Sequence, residues 1–161
     1  MEFSNILKLV RSCDEQGELE NIIASLHKNL YITGIQRGLD NYRTDFEKTA
    51  YEIIFSDINS KDIRDNSDIE KYLDVLLDTV KNLNKIKITI AISPNNHLLD
   101  ALASWTEKNM RQKYIFDIEV DPQILGGAII SSKKGVYKDF SLSRKINDIF
   151  TIHKKEIFSQ I

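Results

Sequence analysis

Catalytic or metal chemistry in this chain would have to be assembled from three histidines, His27, His97 and His153, one cysteine, Cys13, and 24 carboxylates. The histidines lie far apart, and none has a second His, Cys or acid at a recognised metal-ligand spacing. Asp62, Asp65 and Asp68 alternate with apolar and basic residues, but the glycine and distal glutamate of a calcium loop are missing. No Gly-x-Ser-x-Gly elbow, Walker loop or Gly-x-Gly-x-x-Gly run occurs. Gly126-Gly127 could cradle a phosphate through bare backbone N–H groups, yet it lacks a following helix and a Lys-Ser/Thr partner. The other reading is a corner between strands that needs positive φ or a close backbone approach. Asp139 and Ser141 form an acid–hydroxyl pair, which at the start of a helix is the pattern of an N-cap and a dipole-compensating acid. The residue types therefore point to no catalytic, cofactor-binding or metal-binding set.

The elements that position these residues fall into two groups. In the first, Phe3, Ile6, Leu7 and Val10 make one apolar stripe at helical spacing. Asp14-Glu15-Gln16-Gly17 reads as an interruption. Leu19, Ile22, Ile23, Leu26 and Leu30 mark a second helix, and Tyr42, Phe46, Ala50, Ile53 and Ile54 a third that ends near Asp57. Ser67-Asp68-Ile69-Glu70 has the pattern of a capping box ahead of Ile69, Tyr72, Leu73, Leu76, Leu77, Val80 and Leu83. Four amphipathic helices predict a small helical bundle over residues 1–84.

Near Lys85 the period changes from 3.6 to 2, which opens a second domain over 85–161. Ile86, Ile88, Ile90 and Ile92 form the inward side of a strand. Ser93-Pro94 reads as an N-cap with proline at the first helical position, so a helix is predicted over 94–110 with Leu98, Leu102 and Trp105 inside. Tyr114, Phe116, Ile118 and Val120 alternate along a second strand, which Asp121-Pro122 ends. Strands near 127–132 and 135–138 form a hairpin around Lys133-Lys134-Gly135. Ser141 then caps a helix over 141–158 with Ile146, Ile149 and Phe150 inside. The fold class predicted is α+β: an N-terminal small helical bundle, then a C-terminal α/β domain with a small mixed sheet and two helices.

Val120-Asp121-Pro122, Ile124-Leu125-Gly126-Gly127, and Asp139 and Ser141 before a helix resemble the C-terminal end of the delta subunit of F-type ATP synthases, the oligomycin sensitivity-conferring protein family. The likeness covers 85–150 well. Ile6 to Leu9 and Glu15-Gln16-Gly17-Glu18-Leu19 follow the family's opening loosely, and 31–68 hardly at all. Phe140 stands where the family has glycine between the Asp and the Ser. The N-terminal bundle is shortened or diverged relative to the family's.

The resemblance implies a peripheral-stalk (stator) subunit that links the catalytic head to the b-subunit stalk and is itself not an enzyme. It implies structural roles for Asp121, Pro122, Gly126, Gly127, Asp139 and Ser141. Implied partners are the N-terminal segments of alpha subunits for the helical domain and the C-terminal helix of the b subunit for the second. Ile152, Ile157 and Phe158, late on the last helix, exceed what a small sheet can cover and are the partner-binding candidates. The implied location is peripheral, on the cytoplasmic face of the inner membrane or the matrix or stromal side of an organelle.

Two other readings stay open from the residues. The E-type stalk protein of vacuolar or archaeal ATPases has a similar Gly-Gly strand, but Gly17, Gly34 and Gly38 break the long first helix it needs. A small α/β enzyme using the Gly126-Gly127 corner lacks an acid, base and nucleophile set. A net charge of −2 suggests no dedicated nucleic-acid binder. No apolar run approaches the roughly 20 residues of a membrane span, and the start MEFSNILKLVRS lacks signal-peptide architecture. A lone Cys13 excludes an internal disulfide and fits a reducing compartment.

Overall fold

The computed structural model describes residues 3–32, 43–132 and 135–158, with side chains given through residue 149 and at 151. The chain divides into two compact units, Met1–Leu83 and Asn84–Ile161. The architecture is α+β, with helices in the first unit and a four-stranded mixed sheet in the second.

The first unit contains α1 (Ser4–Leu9), α2 (Cys13–Leu30), α3 (Asp45–Ser60) and α4 (Asn66–Lys81). Asp14 to Gly17 does not interrupt α2; it is the first turn. Two acids there face the positive end of the helix dipole. Just before it, the Ser12 hydroxyl accepts the Glu15 N–H at 3.2 Å and the Glu15 carboxylate accepts the Ser12 N–H at 3.3 Å, a complete capping box. The box expected at Ser67 and Glu70 does not form. The chain is already helical at Asn66, with Asp65 as N-cap and no side-chain bond to it, so Ser67 lies inside the first turn.

The helices close over Val10, Leu19, Ile23, Leu30, Ile54, Leu73, Leu76 and Val80, all essentially sealed from solvent. Each such side chain contributes roughly 1.5–3 kcal/mol relative to exposure, which a six-residue α1 needs because a helix that short is not stable alone. Gln16 Nε2 donates to the Val80 carbonyl at 2.7 Å, and Tyr31 Oη donates to Glu70 at 2.6 Å, so α2 and α4 run antiparallel.

The second unit contains β1 (Asn84–Ile90), α5 (Asn96–Asn109), β2 (Tyr114–Val120), β3 (Ala128–Ser132), β4 (Tyr137–Asp139) and α6 (Leu142–Phe158). The sheet order is β2-β1-β3-β4. β1 and β2 are parallel, joined through α5, and β1-β3-β4 are antiparallel. Pairing Ile86 with Phe116, Ile88 with Ile118 and Ile130, and Ile90 with Ala128 puts these residues on one face. Leu98 and Leu102 of α5 pack against that face.

Several expectations change here. Ile92 is exposed, because the strand ends at Ile90, whose carbonyl accepts the Asp121 N–H at 2.8 Å. Val120, expected to point inward, sits exposed at that same end. The α5 cap is Asn95, whose Oδ1 accepts the Leu98 N–H at 2.9 Å; Pro94 lies ahead of the helix. Trp105 is 53% exposed, and Thr106, one position on, takes the buried place at 1%. On α6, Ile149 is exposed and Ile146 only partly buried; the side chain of Phe150 lies outside the described residues.

Gly17 sits in α2, and a Cβ built on it meets no atom within 4 Å. Gly17→Ala is therefore expected to stabilise the chain by about 0.5–1 kcal/mol, the usual gain from removing a helical glycine. Urea unfolding of both forms measures it, and a loss of stability would show a packing constraint at this position.

Candidate functional site

Six of the residues singled out in the sequence come together at one corner of the second unit. β2 runs into Asp121, whose side chain accepts the Gln123 N–H at 2.9 Å and so caps a 3₁₀ turn, Pro122–Ile124. Proline suits this place, since its fixed φ fits the turn and its missing N–H is not needed. The turn stops at Leu125, held at φ 62 in the left-handed region, a conformation that costs a residue with a Cβ roughly 1–2 kcal/mol. Ile124 is buried beneath it, while Leu125 is exposed.

Gly126 and Gly127 turn the chain into β3. The Gly126 carbonyl accepts the Leu142 N–H at 2.9 Å, and the Phe140 N–H reaches the Ala128 carbonyl at 2.9 Å. These two bonds fold the segment that leaves β4 back over the glycines. Gly127 has φ +77, and a Cβ on it would lie 2.3 Å from the Phe140 carbonyl oxygen. No side chain fits there, so the close backbone approach explains the glycine. A carbonyl oxygen packed this closely on Gly127 would repel an anion brought to the same residue, which argues against a phosphate cradle.

Asp139 and Ser141 lock the start of α6. Asp139 Oδ1 accepts the Ser141 N–H at 2.9 Å. Ser141, itself buried, accepts the Arg144 N–H at 3.3 Å and the Ser143 hydroxyl at 3.2 Å, which makes it the N-cap. The Ser141 hydroxyl, then its backbone N–H, hold the Asp139 carboxyl below its ordinary range against a smaller opposing effect of burial, with Arg144 adding to the depression. The pair is thus spent on capping. Phe140, between them, points into solvent.

Ile152, Ile157 and Phe158 lie on the last turns of α6, and their side chains fall outside the described residues. His153 is likewise outside. Among the described residues no group of three or more His, Cys, Asp or Glu is arranged to hold a metal, and no helix is long and apolar enough to cross a membrane. The 3₁₀ turn and its Asp121 cap go beyond the strand end expected at Asp121-Pro122; the Asp-Pro step was the available signal, since an Asp ahead of Pro is a common turn opener.

Two outcomes follow from this geometry. Gly127→Val should destabilise the chain by at least about 1–3 kcal/mol, from the left-handed conformation together with the clash against Phe140. An unchanged thermal melt would contradict it. The depressed Asp139 carboxyl makes a contribution that is complete above the ordinary aspartate pKa of about 3.9 and is lost as pH falls through the lower folded-state value. The stability difference between wild type and Asp139→Ala should therefore stay level from neutral pH to about 5 and shrink below about 4. A difference that grows on acidification would reverse the assignment.

Comparison with known proteins adds the family. The model of the ATP synthase delta (OSCP) subunit matches residues 38–151. That span includes 38–68, where the sequence offered hardly any likeness, and leaves out residues 1–37, within which the loose likeness of the opening was read. A search of curated proteins gives no match. Among solved structures, a chain in a cryoEM structure of the Polytomella F-ATP synthase is similar at 19% identity and a TM-score of 0.39, over 48% of this chain and 99% of that one. With most of its length, including the whole glycine corner, inside the family match, this chain belongs to the ATP synthase delta (OSCP) subunit family, whose members are peripheral-stalk subunits of F-type ATP synthases.

Proposed function

We propose that this chain holds the catalytic head of a rotary ATP synthase to its stationary stalk and does no chemistry of its own. The helical unit would engage N-terminal segments of alpha subunits, and the α/β unit the C-terminal helix of the b subunit. Such a link must resist torque through side-by-side packing, so it needs apolar surface left uncovered by its own fold. The observation that carries this reading is the exposure of large apolar side chains in the second unit. Trp105, Phe140, Leu142 and Ile149 are all open to solvent, and the last at 58% stands on the face of α6 that the sequence predicts to be inside. Ile152, Ile157 and Phe158, later on the same helix, remain the partner-binding candidates. The chain would sit peripherally, on the side of the coupling membrane where the catalytic head lies.

The test is titration of the full chain with a labelled peptide taken from the C-terminal helix of the b subunit. Wild type should bind, and Ile157→Asp with Phe158→Asp should cost at least tenfold, given roughly 1.5–3 kcal/mol per buried apolar side chain. Equal affinity in a folded double variant would move the interface elsewhere, and no binding by wild type would remove the b-subunit assignment. Calorimetry with ATP should give no micromolar binding; such binding would reopen an enzymatic reading.

A further inference from the structure

The first unit holds a cavity of about 470 Å³ whose walls include Phe3, Ile6, Ile53, Asp57, Lys61 and Tyr72. Its chemistry is uneven. The Phe3 and Tyr72 rings meet edge to face, 5.3 Å between centroids and 69° apart. Lys61 Nζ stands 4.9 Å from one ring centroid and 5.0 Å from the other. The same ammonium lies 3.1 Å from Asp57 Oδ2, which also accepts the Tyr72 hydroxyl at 2.7 Å. Two π-faces and a carboxylate oriented by a phenol make a receptor for a cation. Lys61 is also the C-cap residue of α3, and the last turn of that helix carries no base of its own, so its negative end adds to the attraction.

We infer that this cavity is a docking site for an arginine side chain of a partner segment, and that Lys61 is the internal cation that occupies the site until the arginine displaces it. Three observations favour an incoming arginine over a lysine that merely seals the rings. The cavity borders Lys61 as well as both rings. Lys61 is partly exposed on a flexible stem. The unit around the site carries sixteen acids against ten lysines and arginines, a net of −6, whereas residues 84–161 carry eight against twelve, a net of +4. A basic segment is therefore drawn to this unit and not to the other. A guanidinium fits better than an ammonium, because its plane stacks on a ring while its fork reaches a carboxylate. The inference does not rest on the stalk reading; it stands on the cavity and its four groups.

The experiment follows the Phe3 and Tyr72 ring resonances of the full chain by NMR. The chain is titrated with acetyl-Gly-Ser-Arg-Ser-Gly-amide and with the same peptide carrying citrulline, the neutral isostere. Lys61→Ser should bind the arginine peptide at least tenfold more tightly than wild type does, with no matching gain for citrulline. Asp57→Asn in the Lys61→Ser background should abolish the gain. Because truncating Lys61 uncovers two rings, Lys61→Met, which keeps an apolar cover without the charge, is measured beside it and should shift the same way. No gain in either variant, or an equal gain for the citrulline peptide, overturns the inference.

Discussion

The second unit depends on one contact that only glycine permits, the Phe140 carbonyl lying against the α-carbon of Gly127. The space a Cβ would need is 2.3 Å from that oxygen. Because nothing intervenes, the segment after β4 can bond across the corner, Phe140 to Ala128 and Leu142 to Gly126. Those bonds set where α6 begins. Asp139 and Ser141 then close its first turn. The strain at Leu125 and the positive φ of Gly127 are held in place by this surrounding network, as a left-handed backbone must be. Asp121, Pro122, Gly126, Gly127, Asp139 and Ser141 thus meet the backbone requirements of this corner.

Fixing the start of α6 has a consequence at the surface. Among the described residues, the helix is held at its first turn and against the 3₁₀ turn, while Leu142 and Ile149 are open to solvent. The core of this unit is instead closed by α5 over Ile86, Ile88, Ile90 and Phe116. A fold that anchors one helix by capping and covers its sheet with another leaves an amphipathic element with spare apolar surface. That is the property expected of a part whose work is to be packed against something else. The helical unit follows a different logic, with a closed apolar core and a cavity walled by both aromatic rings and charged groups.

Periodicity made most of the elements legible. The change from a period of 3.6 to 2 near Lys85 matches the start of β1 at Asn84, the alternation at 114–120 matches β2, and strands β3 and β4 pair on either side of the expected turn, whose Lys133 and Lys134 lie outside the described residues. What the chain concealed was decided by competition between neighbours. Trp105 and Thr106 both sit at helical spacing from Leu102, and a one-dimensional pattern cannot say which the sheet face will take. Ser67 resembled a cap, but a helix starts where its backbone first turns, at Asn66. Acids and a glycine at 14–17 read as a break, although acids are what a helix N-terminus favours. At the corner, the positive φ and close approach at Gly127 were legible from the Gly-Gly pair. The identity of the opposing carbonyl was not, because it comes from a residue thirteen positions later.

The central claim is that this chain keeps the head attached to the stalk. The most direct measurement is the partition of head ATPase activity between membrane and soluble fractions after the chain is removed from its source cells. The activity should move to the soluble fraction, and re-adding the chain should return it to the membrane. Activity that stays on the membrane, still coupled to proton movement, would contradict it.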